Sequence, residues 1–174
     1  MKTLTLSAIL LGITLASPSL AENPADLNDL QIAHVAYIAD NIDIRYAHLA
    51  LAMTSNKEVR GFAETMIRDH EAVNQAALDL LAKLGASPED NFLSQSLNEG
   101  AEVIIDKLSA LRGSEFDLVY AENELAYHKA VNGLIGDAFI PNIENAEVKA
   151  LFEQGHKIFL RHEQHAVDMV KALK

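Results

Sequence analysis

The chain contains no cysteine and no tryptophan, and it is short of proline (4), glycine (8) and basic side chains, with 14 Lys and Arg against 25 Asp and Glu. The absence of cysteine excludes disulfides, thiolate metal sites, iron–sulfur clusters, c-type haem attachment and a cysteine nucleophile. A net charge of −11 excludes an electrostatic nucleic-acid partner, because neutralising phosphates takes clustered Lys and Arg. Scarce glycine and proline exclude a fibrous or low-complexity chain. Beyond the first residues no apolar run is long enough to cross a bilayer, so no transmembrane segment is expected in the mature protein. What is there is a 174-residue chain with 49% apolar residues, enough for the core of one domain.

Residues 1–21 read as an export signal. Lys2 is the positive start, Leu4 to Leu15 the apolar stretch, and Ser19-Leu20-Ala21 a small-x-small cleavage site. Cleavage after Ala21 is expected, leaving residues 22–174 as a single helical-bundle domain in a bacterial periplasm. No cysteine follows the site, which excludes a lipid-anchored lipoprotein.

The rest of the chain lacks period-two alternation, and its apolar residues recur at three and four positions, the period of helices. The first helix is predicted from Ala25 to Thr54, and Ser55 with Glu58 is expected to cap the second, which runs from Asn56 to Leu84 and stops at Gly85. Ser87-Pro88-Glu89-Asp90 opens a shorter helix near Leu93 to Leu111. Ser114 and Asp117 cap a further helix to Phe139, and a last helix runs from Glu144 to the C-terminus. Four long helices make a four-helix bundle. The shorter one spans roughly 27 Å at 1.5 Å per residue, enough to carry the chain from one end to the other. The expected fold class is therefore all-α, a ferritin-like four-helix bundle with an additional crossover helix.

Seven histidines are present, and three fall on the centre of an apolar stripe, each on a different helix: His70, His128 and His162. Counted from the turns, all three lie in the middle third of the bundle, and Asp43 on the first helix lies at the same level. Three imidazoles and a carboxylate converging from four helices make a site for a transition metal such as Cu, Zn or Fe. Met66 precedes His70 by four residues and Met169 follows His162 by seven, so each shares a helix face with its histidine. Imidazole with thioether favours copper. The competing reading is a buried polar network that fixes helix register, with the methionines filling gaps in the core.

Di-iron carboxylate bundles carry Glu-x-x-His on two helices. Here that spacing occurs once, at Glu153 and His156, off the stripe centre, and Glu124 with His128 is one residue too long. A ferroxidase centre is therefore not expected. Phosphate loops, Gly-x-Ser-x-Gly and His-Glu-x-x-His are all missing, so no enzyme activity is expected from known signatures.

Several stretches together resemble a known family. They are Leu49-Ala50-Leu51, Asn56 to Ala63, Met66-Ile67-Arg68-Asp69-His70, Gly113 to Asp117, Tyr127 to Val131, and Leu160-Arg161-His162 with Ala166. The ordered set is similar to the exported bacterial family called domain of unknown function 4142, described as ferritin-like and often labelled outer membrane proteins. The resemblance covers about Ala33 to Leu173. It implies an acid at Asp43, histidines at His70, His128 and His162, a helical fold and an exported protein, but no reaction. The outer-membrane label sits poorly with a chain that shows no barrel strand.

The sequence thus leads to an exported bundle holding a transition metal through Asp43, His70, His128 and His162, with Met66 and Met169 nearby, in metal handling or stress protection. The alternative is a non-catalytic structural or interaction protein of the envelope whose core histidines only form hydrogen bonds. A redox enzyme with two metals is a third reading. Histidines kept neutral in the core would also make stability fall as pH drops below about 6.5.

Overall fold

The structure is a computed structural model that describes residues 23–174; the expected signal sequence, residues 1–21, lies outside the described residues. Among the described residues there is no strand. Five helices carry the fold: α1 (Asp29–Met53), α2 (Lys57–Leu84), α3 (Phe92–Ser109), α4 (Gly113–Leu134) and α5 (Ala146–Leu173). A 3₁₀ turn at Pro24–Asp26 precedes α1, and a wider π-helical turn at Ile135–Phe139 prolongs α4 toward Pro141.

Four of the five helices start on an asparagine. The side chains of Asn28, Asn56, Asn91 and Asn145 each accept hydrogen bonds from backbone N–H groups of the first helical turn, which have no partner within the helix. This differs from the expected starts. Asn56, not Ser55, caps α2, and Ser55 is exposed. Asn91, not Ser87, caps α3, so Pro88 lies in the loop. The α4 helix has no side-chain cap at all. Its Asp117 is turned inward, where it accepts from the Thr54 hydroxyl of the α1–α2 connection. A tertiary contact has taken the side chain that the local pattern assigned to capping. Gly85 ends α2 as expected, at φ 65°, in the left-handed region that glycine enters without a Cβ clash.

The helices run alternately up and down. The α1 and α2 helices form an antiparallel pair around Thr54. The α3 helix returns along α1, tied at its start by Asn91 Nδ2 donating to the Gln31 carbonyl (3.1 Å) and further up by Arg45 on Glu102 (2.6 Å). It is the long crossover, delivering the chain to the Thr54 end. There α4 starts and descends beside α1, where the Tyr127 hydroxyl donates to the Ala39 carbonyl (2.9 Å). Asp29 then accepts from the backbone N–H of Glu144 and Asn145, which fixes the start of α5 beside that of α1. The result is an all-α bundle with one crossover helix.

Its core is split. One apolar cluster fills the Thr54 end, built on Ile42, Tyr46, Phe62, Met66, Phe116, Tyr120, Ala166 and Met169 among others. A second fills the opposite end around Ile32, Val35, Ile135, Phe139, Val148 and Phe159. Between them, at the same level on four helices, lies a layer of buried polar side chains: Asp40, Asp43, His70, Glu124, His128 and His162. The two apolar blocks exclude water from both sides of that layer. No helix of the described residues is long and apolar enough to cross a membrane.

Candidate metal centre

Each core helix brings its polar residues to this layer by its own phase. The α1 helix is covered by α2, α3 and α4, so both Asp40 and Asp43, three residues apart, are buried. The others come from single positions at the break between the two apolar clusters: His70 on α2, His128 on α4 and His162 on α5. Glu124 stands one turn before His128 and is fully buried.

Every one of the three imidazoles has one nitrogen engaged outward. His70 Nδ1 meets Asp40 Oδ1 at 2.7 Å. His128 Nδ1 meets the Glu124 backbone carbonyl at 2.9 Å. His162 Nε2 meets Asp69 Oδ2 at 2.9 Å. The opposite nitrogens, His70 Nε2, His128 Nε2 and His162 Nδ1, are buried with no hydrogen-bond partner, as are both carboxylate oxygens of Asp43 and of Glu124. Ring packing adds to the fixed orientation, since His70 stacks on Phe159 at 4.8 Å and Phe62 stands edge-on to His128.

The bare atoms of Asp43, His70 and His128 face one another. Ligand atoms of His70, His128 and His162 lie within 4.8 Å of each other, and so do those of Asp43, Glu124 and His128. Asp43 Oδ2 is 2.8 Å from His70 Nε2 and 3.2 Å from His128 Nε2, in neither case with hydrogen-bond alignment. Donors bound to one ion at about 2.0–2.2 Å stand about 3 Å apart when adjacent. The spacing therefore fits a shared cation. The outer partners match the way metal-bound histidines are held, with the non-ligating N–H on a carboxylate or carbonyl that fixes tautomer and ring orientation.

The charges are set by burial and by each other. Burial alone disfavours the His70 imidazolium, but Asp43 and Asp40 on either side outweigh it and hold its pKa up at about 10. Burial likewise opposes the Asp43 carboxylate, yet His70 and His128 keep it well below the ordinary carboxylate range. Burial raises Asp40, partly offset by His70. Glu124 is pushed well above its ordinary value by burial and by the neighbouring Asp43 charge. Burial pushes His162 down to about 4. The expectation of uniformly neutral core histidines thus holds for His162 and is corrected for His70, whose two flanking acids favour the charged ring in the metal-free chain.

The structure brings His70, His128, His162 and Asp43 into one layer. Met66 and Met169 are fully buried, in the apolar cluster on the Thr54 side. At 1.5 Å per residue they stand about 6 Å and about 10 Å along their helices from His70 and His162. Glu153 is exposed and His156 is half-buried, away from the layer, as their off-centre spacing implied. Sequence reasoning missed three contributors. Glu124 was weighed only against the Glu-x-x-His spacing, although its i, i+4 relation to His128 marks the same face. Asp40 carried a comparable signal, three residues before Asp43. Asp69 carried none, since a residue next to His70 points about 100° away from it and meets His162 only through α2–α5 packing.

The fold and the layer define an all-α bundle with a buried histidine–carboxylate cluster at its centre. The chain belongs to the family of the domain of unknown function DUF4142, whose model matches residues 14–169. No curated protein and no solved structure matches it.

Proposed function

We propose that this protein is an exported metalloprotein that holds a transition-metal ion at the centre of its bundle through His70 Nε2, His128 Nε2, His162 Nδ1 and Asp43, with Glu124 beside them. The observation that carries this reading is the arrangement of the three imidazoles, each tied outward by one nitrogen and keeping the other buried and unpartnered, with the Asp43 carboxylate against those of His70 and His128. Leaving several buried polar atoms without partners is costly, and a cation in the layer answers several of them at once. Three nitrogens and a carboxylate suit Zn, Fe or Cu. A thioether-assisted copper site would draw in Met66 first, the nearer of the two methionines, and Met169 second. The role that fits a sealed site without a recognised catalytic signature is metal handling or stress protection in a periplasm, after removal of residues 1–21. The ferritin-like designation is part of this proposal and rests on the single crossover of α3.

The test is elemental analysis of untagged protein recovered from the periplasm without chelator, together with the mass of its N-terminus. A stoichiometric metal that is lost in the His70→Ala/His128→Ala double variant supports the reading. Unchanged metal content in that variant, or no metal and no thermal shift with Cu, Zn, Fe or Mn, overturns it.

One observation favours the alternative of a structural or interaction protein of the envelope. With His70 charged between Asp40 and Asp43, the metal-free layer holds a buried ionic triad that can fix helix register by itself. That reading leaves the inward nitrogens of His128 and His162 and both oxygens of Glu124 unanswered.

A further inference from the structure

The three outward partners of the histidines differ in one respect. Asp40, behind His70, has only 6% of its side chain exposed, and the partner of His128 is a backbone carbonyl inside α4. Asp69, behind His162, has 26% of its side chain exposed. It lines a groove of about 270 Å³ between α2 and α5, whose other walls are Gln154, Arg161 and apolar residues such as Ala72, Val73 and Ile158, so that Asp69 is its one acid. Its two carboxylate oxygens face opposite ways. Oδ2 meets His162 Nε2 at 2.9 Å on the inside, and Oδ1 meets the Nε of exposed Arg68 at 2.8 Å on the outside. His162 in turn shows its other nitrogen, buried and unpartnered, to the core layer.

We propose that the α2–α5 groove is the route by which a divalent transition cation reaches the core, with Asp69 and His162 Nε2 as an outer staging site and Arg68 as its cover. The proposal rests on the metal reading above. A sealed layer between two apolar blocks needs a polar way in, because a bare cation does not cross apolar packing. Asp69 is the more exposed of the two carboxylates behind histidines, at 26% against 6% for Asp40, and it opens on the larger cavity, about 270 Å³ against about 40 Å³. An arriving cation displaces the Arg68 guanidinium, takes the carboxylate and the outer nitrogen of His162, and passes to the inner donors as that ring reorients. The Nε2 proton of His162 leaves to solvent through the groove as the cation takes that nitrogen, and it is regained when the ion moves on to the inner donors; apart from this proton, only coordination bonds form and break. An orienting role for Asp69 alone makes a different kinetic prediction. Losing an orienting partner weakens the bound state and speeds release, whereas losing a staging ligand slows passage in both directions.

The experiment measures Co²⁺ uptake and chelator-driven release by the untagged full mature chain, followed by visible absorption in stopped flow. The variants are Asp69→Asn, Arg68→Gln, and Arg45→Gln as a charge-matched control on the exposed surface of α1. The expected result is that Asp69→Asn slows uptake by about tenfold, an effect that loss of an orienting partner alone does not produce, in addition to any loss of affinity from the freed His162 ring. Arg68→Gln speeds uptake relative to both wild type and Arg45→Gln, and as a substitution at a largely exposed side chain it keeps the test alive if Asp69→Asn fails to fold. The route is overturned, with the metal centre intact, if Asp69→Asn speeds release while leaving uptake unchanged, or if Arg68→Gln behaves as Arg45→Gln. A wild-type chain that takes up no Co²⁺ overturns the metal reading itself.

Discussion

The Asp43 carboxylate on α1 and the His70 imidazole on α2 stand 2.8 Å apart, oxygen to Nε2, in the buried polar layer between the two apolar clusters and out of hydrogen-bond alignment. Asp43 is fully buried and His70 is 4% exposed. On its other side, His70 does make an aligned contact, Nδ1 to Asp40 at 2.7 Å. One imidazole therefore has an acid aligned behind it and a second, unaligned acid in front. The consequences for stability and affinity can be measured.

Removing the proposed metal should loosen the whole bundle, because an ion held by Asp43, His70, His128 and His162 would join α1, α2, α4 and α5. A ligand present at 100 times its Kd stabilises by about 2.7 kcal/mol. For a chain of this size that is a rise of about 5–10 °C in Tm. Thermal unfolding of protein stripped by chelator, then titrated with Zn²⁺, should show that rise, and His128→Ala should show none of it.

Asp40→Asn should keep the fold and weaken the site. The amide still offers an oxygen to His70 Nδ1 but withdraws the negative charge that raises the basicity of the ring. Metal affinity should fall by about 10–100-fold, as for other losses behind a ligating histidine. Competition against a chromophoric chelator reads this directly. The same substitution should lower the His70 pKa in the metal-free chain, which NMR titration of the imidazole would follow.

Thr54→Val separates fold from site. The Thr54 hydroxyl donates to buried Asp117 and accepts from the Asn56 backbone N–H, so it ties α4 to the α1–α2 connection. Its loss leaves a buried carboxylate without a partner, at a cost of about 2 kcal/mol. The denaturant midpoint should drop accordingly. Metal affinity should not change, since Asp117 stands about 16 Å along α4 from His128.

Stability of the metal-free chain should depend on pH through two histidines of opposite sign. The folded pKa of His162, about 4, lies below its ordinary value of 6.5, so its contribution is complete above 6.5 and is lost as pH falls toward 4. The full span is worth about 3 kcal/mol. The folded pKa of His70, about 10, lies above 6.5, so its contribution is complete below 6.5 and fades as pH rises toward 10. Denaturant unfolding across pH should therefore show a shallower acid limb in His162→Gln and a shallower alkaline limb in His70→Gln. An acid limb of equal slope in His162→Gln and wild type would refute the His162 assignment.

The helices and the heights of the histidines were legible because both depend on local periodicity. The stripe through Val59, Phe62, Met66, His70 and Val73 sets one face of α2, and counting from the Thr54 connection places His70, Asp43, His128 and His162 at one level. Helix starts were less legible. Ser55, Ser87 and Ser114 are acceptable caps by local rules, but Asn56 and Asn91 stand in for the first two and α4 starts at Gly113 with no side-chain cap. The choice at α4 was made by Thr54, 63 residues earlier in the chain, which draws Asp117 into the core.

By itself the sequence determined an all-helical chain with three histidines on buried stripes, because a 3.6-residue period records which face of a helix meets the core. Tertiary structure alone decided which atoms of those histidines are free. Asp40 turns one nitrogen of His70 outward, the Glu124 carbonyl does so for His128, and Asp69 takes the outer nitrogen of His162 across the α2–α5 contact. No helical period encodes contacts between helices. They depend on crossing position and rotation, and these settle only when all the helices pack together.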